Sequence, residues 1–187
     1  VKDADTDRKL SGAEKRALLR IARESIEAEL DGKKRPGPAG KGLLDEKRGA
    51  FVSLKKRGRL RGCIGFVEPR KPLAKTVEEM AVASAFQDPR FPPLRKDELQ
   101  DLRVEISVLT PLRRVVDADE IEVGVHGLYI RRGGRAGLLL PQVATEWRWD
   151  RDTFLEETCR KAGLAPAAWR DPETEIYLFA ADVFAEE

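Results

Sequence analysis

Residues 49–67, GAFVSLKKRGRLRGCIGFV, restrict the fold more than any other segment. Two runs rich in β-formers flank KKRGR, and so short a break points to an antiparallel hairpin. Alternation then limits the register. Val52 and Leu54 share one face of the first run, and Leu60, Ile64 and Phe66 share one face of the second. A two-residue loop at Arg57–Gly58 sets Val52 opposite Cys63 and mixes the faces. An odd loop centred on Gly58 sets Val52 opposite Ile64 and Ser53 opposite Cys63. The odd loop keeps one apolar face and is the expectation, since a one-residue slip would expose that face.

The flanking segments read as helices and further strands. Ser11 and Glu14 form a capping box ahead of a stripe of Leu18, Leu19, Ile21, Ala22, Ile26 and Leu30, with Gly32 placed to stop the helix. Residues 31–42, rich in Gly, Pro and charge, read as a loop. KPLAKTVEEMAVASAFQ is a second helix whose small residues Ala81, Ser84 and Ala85 allow close packing on a sheet. DPRFPP, residues 88–93, must leave that helix, because three prolines in six positions forbid its continuation. LRKDELQDL suggests a short helix and RVEISVLTPL a strand. HGLYIRR-GG-RAGLLLP suggests a second hairpin, and QVATEWRW a loop. DRDTFLEETCRKAG is a third helix, capped near Asp150 or Asp152, and ETEIYLFAADVF a closing strand. Strands and helices do not alternate as βαβ units. The expectation is an α+β fold with a largely antiparallel sheet flanked by helices.

Composition removes several function classes. Lys and Arg number 35 against 33 Asp and Glu, which disfavours a dedicated nucleic-acid binder. The basic pairs, such as Lys55–Lys56 and Arg131–Arg132, have no aromatics interleaved at a spacing that suits stacked bases. Cys63 and Cys159 are too few and too far apart for a disulfide framework or a zinc ribbon, and the single histidine, His126, rules out a histidine-rich metal site. No Walker motif, dinucleotide fingerprint or nucleophile elbow is present, so no cofactor is implied. The first ten residues are charged and show no signal-peptide pattern. No apolar run approaches the roughly 20 residues of a membrane span. The chain reads as soluble and cytoplasmic, with no membrane partner.

GAFVSLKKRGRLRGCIGFVEP, AVASAFQDPRFPPL, DLRVEISVLTPL, GVHGLYI, GLLLPQVATEW and FLEETCRKAGL follow one another in the order seen in the AMMECR-one family. The chain resembles that family from residue 11 to 184, and LRGCIG, Leu60 to Gly65, matches its signature without departure. The resemblance implies one domain over 1–187, with a smaller subdomain within roughly 110–150 and a cleft between the parts. Similar proteins are often encoded or fused beside Memo-like and radical S-adenosylmethionine proteins, so it also implies a shared pathway and a protein partner of that kind. It gives no substrate.

The candidate residues follow from the signature. In a strand, Arg59, Arg61 and Cys63 point one way, and a thiol between cations is stabilised as the nucleophilic thiolate. Gly62 and Gly65 fit either a ligand approaching the backbone or tight packing. A small buried cysteine packed on the second helix accounts for the same pattern. His126 would stand at the start of a strand, on the face of Leu128 and Ile130, as the one histidine available to serve as a base for Cys63. A lone histidine beside an apolar face is also commonly structural. Asp88 and Arg90 either pair with each other or line a cleft in which Arg90 grips a carboxylate or phosphate. Gln142, with Glu146, Trp147 and Trp149, forms a ligand wall or anchors its loop. Cys159 belongs to the apolar stripe of its helix.

Two functions remain open on these residues. One is an enzyme, or enzyme component, acting on a small anionic molecule or modified residue in a cleft, with Cys63 and His126 catalytic and Arg61, Gly62, Gly65, Asp88, Arg90 and Gln142 binding. The other is a non-catalytic module that holds a partner protein.

Overall fold

The structure is a computed structural model that describes residues 9–35, 37 and 41–187. Residues 1–8 of the segment expected to lack a signal pattern, and part of the loop expected at 31–42, lie outside the described residues. The chain divides into two compact units, 1–109 with 182–187, and 110–181. Each carries its own four-stranded sheet, and the fold is α+β.

The first unit is built on β1 (Ala50–Lys56), β2 (Arg59–Phe66), β3 (Leu102–Leu109) and β8 (Ala181–Ala185), in the order β2-β1-β3-β8. β1 runs antiparallel to both of its neighbours. One face of β1, Ala50, Val52 and Leu54, is fully buried with Val104 and Ile106 of β3 against α1 (Gly12–Leu30) and α2 (Leu73–Phe86). Helix α1 starts where the capping box requires: the Ser11 side chain accepts from Glu14 N–H, and Glu14 reaches back to the Ser11 backbone. Leu18, Ala22 and Ile26 then point into the core. Helix α2 ends before Asp88-Pro89, as three prolines dictate, and LRKDELQDL supplies a short 3-10 helix at Lys96–Asp101.

The hairpin keeps the register that buries its apolar face, Val52 opposite Ile64 and Ser53 opposite Cys63, but reaches it by another route. The loop is not odd. It is the two-residue turn Arg57–Gly58, with φ of 50° and 77° at the two positions, as the right-handed twist of a hairpin favours. A β-bulge restores the parity: Leu54 faces Gly62 while Lys55 faces Leu60, leaving Arg61 as the extra residue. The bulge also moves Leu60 off the expected apolar face. It pairs with Lys55 and is 44% exposed.

Gly62 is where α2 meets the sheet. A Cβ built there would stand 2.1 Å from the backbone oxygen of Ser84. That close approach lets the Ser84 hydroxyl enter the β1–β2 ladder, accepting from Ile64 N–H at 2.8 Å and donating to Val52 C=O at 2.7 Å. Gly65 is likewise filled from above, since its Cβ would lie 2.3 Å from the Phe51 ring. Packing therefore accounts for both signature glycines.

The second unit holds β4 (Arg113–Arg114), β5 (Gly127–Arg132), β6 (Arg135–Leu139) and β7 (Glu175–Phe179), in the order β4-β7-β5-β6 with antiparallel neighbours. Its core joins Leu128, Ile130 and Leu178 to Phe154, Leu155 and Cys159 of α4 (Arg151–Lys161). Asp150 caps α4 by accepting from Thr153 N–H at 2.8 Å. Two expectations are corrected here. QVATEWRW is not all loop, because Pro141–Glu146 form a short helix, α3, started by a proline at its first position. The closing segment is not one strand: β7 joins the second sheet and β8 the first, and the break falls at Ala180.

Candidate functional site

Cys63 lies in β2, an edge strand of the first sheet. An edge strand leaves some of its N–H and C=O groups without a ladder partner, and these must be satisfied otherwise. At Cys63 the turn after α2 does this. Asp88 Oδ2 accepts from Cys63 N–H at 2.8 Å, and Arg90 Nη2 donates to Cys63 C=O at 3.3 Å. The two side chains are locked to each other. Arg90 donates from Nε to Oδ1 at 2.9 Å and from Nη2 to Oδ2 at 2.7 Å, while its backbone N–H reaches Oδ1 at 3.1 Å. The Arg90 hydrogen bond holds the buried Asp88 carboxyl well below the usual carboxylate range against the opposing cost of burial. Asp88 and Arg90 thus form a clamp on the Cys63 peptide unit. Arg90 itself stays 54% exposed.

The side chain of Cys63 is half-buried and points to the sheet face opposite the helices. Ser53, directly across on β1, donates its hydroxyl to Sγ at 3.1 Å. Glu105 of β3 faces Ser53 from the other side and pairs with Lys55 at 2.7 Å. Cys63, Ser53 and Glu105 therefore form one row across three strands.

Arg61 does not join this row. The bulge turns it to Glu98, which it holds through Nε at 3.1 Å and Nη2 at 2.9 Å. Lys56 adds a third contact to Glu98 at 2.9 Å. The Arg61 hydrogen bond, ahead of the others, brings the Glu98 carboxyl down to about 2. Phe91, from DPRF, lies against the guanidinium groups of both Arg61 and Arg90, at 5.9 and 5.5 Å. Arg61 and Arg90, the two guanidinium groups that Phe91 joins, thus each have a carboxylate partner.

The other candidates belong to the second unit. His126 is in the turn before β5 rather than in the strand, and its Nδ1 accepts from Glu122 N–H at 3.0 Å. Gln142 is in α3, where its C=O accepts from the Thr145 hydroxyl at 2.8 Å. Trp147 and Trp149 stack with ring centroids 6.1 Å apart. Cys159 is fully buried, and burial pushes its thiol up. Among the described residues, no group of three or more His, Cys, Asp or Glu is arranged to hold a metal ion. No described helix is long and apolar enough to cross a membrane.

Ser53, Glu98 and Glu105 were not among the sequence candidates. The hairpin register carries a signal for Ser53, since it sets that residue opposite Cys63. Glu98 and Glu105 carry none that separates them from other acidic surface residues.

The geometry has close relatives. A protein of Methanothermobacter thermautotrophicus is 50% identical over 95% of this chain and 97% of its own, and one of Methanopyrus kandleri is 48% identical over 96% and 91%. The crystal structure of an uncharacterized protein from Pyrococcus horikoshii superposes with a TM-score of 0.83 at 44% identity, covering 91% of this chain and 90% of that one. The AMMECR1 family model matches residues 19–184, which takes in the hairpin, the clamp and the whole of the second sheet. By that match, and by its relatives' identity and coverage, the chain belongs to the AMMECR1 family.

Proposed function

We propose that this chain is an enzyme, or an enzyme component, that acts on a small anionic molecule at Cys63. The observation that carries the reading is the clamp: a half-buried cysteine on the sheet face opposite the helices, whose peptide unit is fixed on both sides by the Asp88–Arg90 pair. Fixing the backbone of a nucleophile lowers the entropy lost on reaching an attack geometry. Arg90, exposed beyond its contact with Asp88, offers a planar cation to a substrate carboxylate or phosphate. The chemistry is acyl transfer. The Cys63 thiolate attacks an acyl carbon, an S–C bond forms, and the bond to the leaving group breaks with its electron pair. Water then hydrolyses the thioester, returning the thiol and releasing the acid.

The pairing of Arg61 with Glu98, and the packing role of both signature glycines, favour a second reading in which the face holds a partner protein without chemistry. One experiment separates the two. Incubation with p-nitrophenyl acetate at about pH 8.5, where an ordinary free thiol is about half ionised, is followed by peptide mass spectrometry. Acetyl on Cys63 with p-nitrophenolate release, both lost in Cys63→Ser, supports the enzyme reading. Absence of the adduct, or acetylation of Cys159 at the same rate, contradicts it.

A further inference from the structure

We infer that the second unit carries a binding site for a small molecule bearing a carboxylate or phosphate on an apolar body, independent of the Cys63 reading. The site is a cavity of about 520 Å³ between the chain that follows β4, strand β7 and the 3-10 helix Pro166–Arg170. That volume lies within the range of about 300–1,000 Å³ typical of small-molecule sites.

Two unpaired donors mark it as a site. Among the described residues, five buried side-chain nitrogen or oxygen atoms have no hydrogen-bond partner, and two of them, Trp169 Nε1 and Thr174 Oγ1, belong to residues lining this one cavity. Thr174 is 8% exposed, so its hydroxyl meets a partner only when the side chains of the wall shift as a ligand enters. Leaving such a group unpaired destabilises the fold, and native proteins keep few of them. Trp169 Nε1 can only donate, so the missing partner must bring an acceptor.

Charge narrows the acceptor to an oxyanion. Arg114 and Arg170 line the cavity, and the ion pairs they make are long, 4.0 Å to Glu175 and 3.5 Å to Asp152. The Arg170 guanidinium lies over the Trp169 ring at 4.3 Å, beside the indole donor. Asp171, the carboxylate in the lining, is already matched by Arg132 at 2.9 Å. Val115, Val116 and Ile176 supply the apolar wall, and Val116 is 94% exposed, a side chain that a bound apolar group would cover.

The test titrates the full chain with phenyl phosphate and, separately, benzoate, while the three indole N–H resonances are followed by NMR. Trp169→Phe assigns the signal. The expected result is a saturable shift of the Trp169 indole alone, with half-saturation at or below about 1 mM for one of the probes. Which probe acts tells phosphate from carboxylate. Arg170→Gln and the isosteric Thr174→Val should each weaken binding at least about tenfold, and Cys63→Ser should not. Should Thr174→Val fail to fold, the exposed Arg170 still provides the test. No shift with either probe, three indoles shifting alike, or undiminished affinity in Arg170→Gln overturns the proposal.

Discussion

Replacing Gly62 by alanine should destabilise the first unit by about 3 kcal/mol or more. The added methyl lands 2.1 Å from the Ser84 backbone oxygen, and a helix backbone cannot yield as a flexible side-chain tip would. Restricting the unfolded chain returns only about 0.4–1 kcal/mol, so packing wins. Moving α2 away would also withdraw the Ser84 hydroxyl from Val52 C=O and Ile64 N–H. Ser84→Ala alone should cost about 1–3 kcal/mol through those two groups. The two substitutions strain one contact, so their effects should not add. Trp147, Trp149 and Trp169 all lie in the second unit, so tryptophan fluorescence reports on that unit. Hydrogen exchange of the β1 and β2 amides is the measurement for the first. Their protection should fall sharply in Gly62→Ala; unchanged protection would show that the helix can retreat freely.

Glu98→Ala should be comparably damaging, at about 3–5 kcal/mol, because it leaves the Arg61 guanidinium inside the fold without its counter-charge. Arg61 Nη1 is already buried and unpartnered, so the remaining cation has little to fall back on. The same pair sets an acid dependence. The Glu98 carboxyl titrates at about 2 in the folded protein against an ordinary 4.5, so its stabilisation is complete above 4.5 and is lost as pH falls through 2. Asp88, also shifted down, adds to acid sensitivity below its own ordinary value. Urea midpoints measured between about pH 5 and 2 should fall steeply in the native protein and less steeply in Glu98→Ala. Equal slopes would mean that Glu98 is not the group that responds.

The hairpin and its register were legible because apolar alternation and a buried face admit one pairing. The bulge was not. An odd loop, and an even loop with one extra residue in the strand, shift the pairing equally and leave the same pattern beyond Arg61. That ambiguity also misplaced Leu60 and aimed Arg61 at Cys63 rather than at Glu98. The closing segment read as one strand because its β-rich pattern continues through Ala180, and nothing local says that β7 and β8 enter different sheets. Asp88 and Arg90 were legible as a pair. Their grip on the Cys63 backbone was not, since it depends on β2 being a sheet edge, a property of the assembled strand order. His126 drew notice as the only histidine, whereas its hydrogen bond to Glu122 is set by a turn that spacing does not reveal.

The reading of Cys63 as the chemically available thiol is tested most directly by brief iodoacetamide treatment of the native chain, with both cysteine peptides quantified by mass spectrometry over time. Cys63 sits half-buried on a sheet face, while Cys159 is fully enclosed in the second core, with its thiol pushed up by burial. An enclosed thiol reacts only when its surroundings open, and an opening that costs about 4 kcal/mol slows it roughly a thousandfold. The account predicts near-complete modification of Cys63 while Cys159 stays unmodified until denaturant is added. Equal labelling of the two, or faster labelling of Cys159, would contradict it.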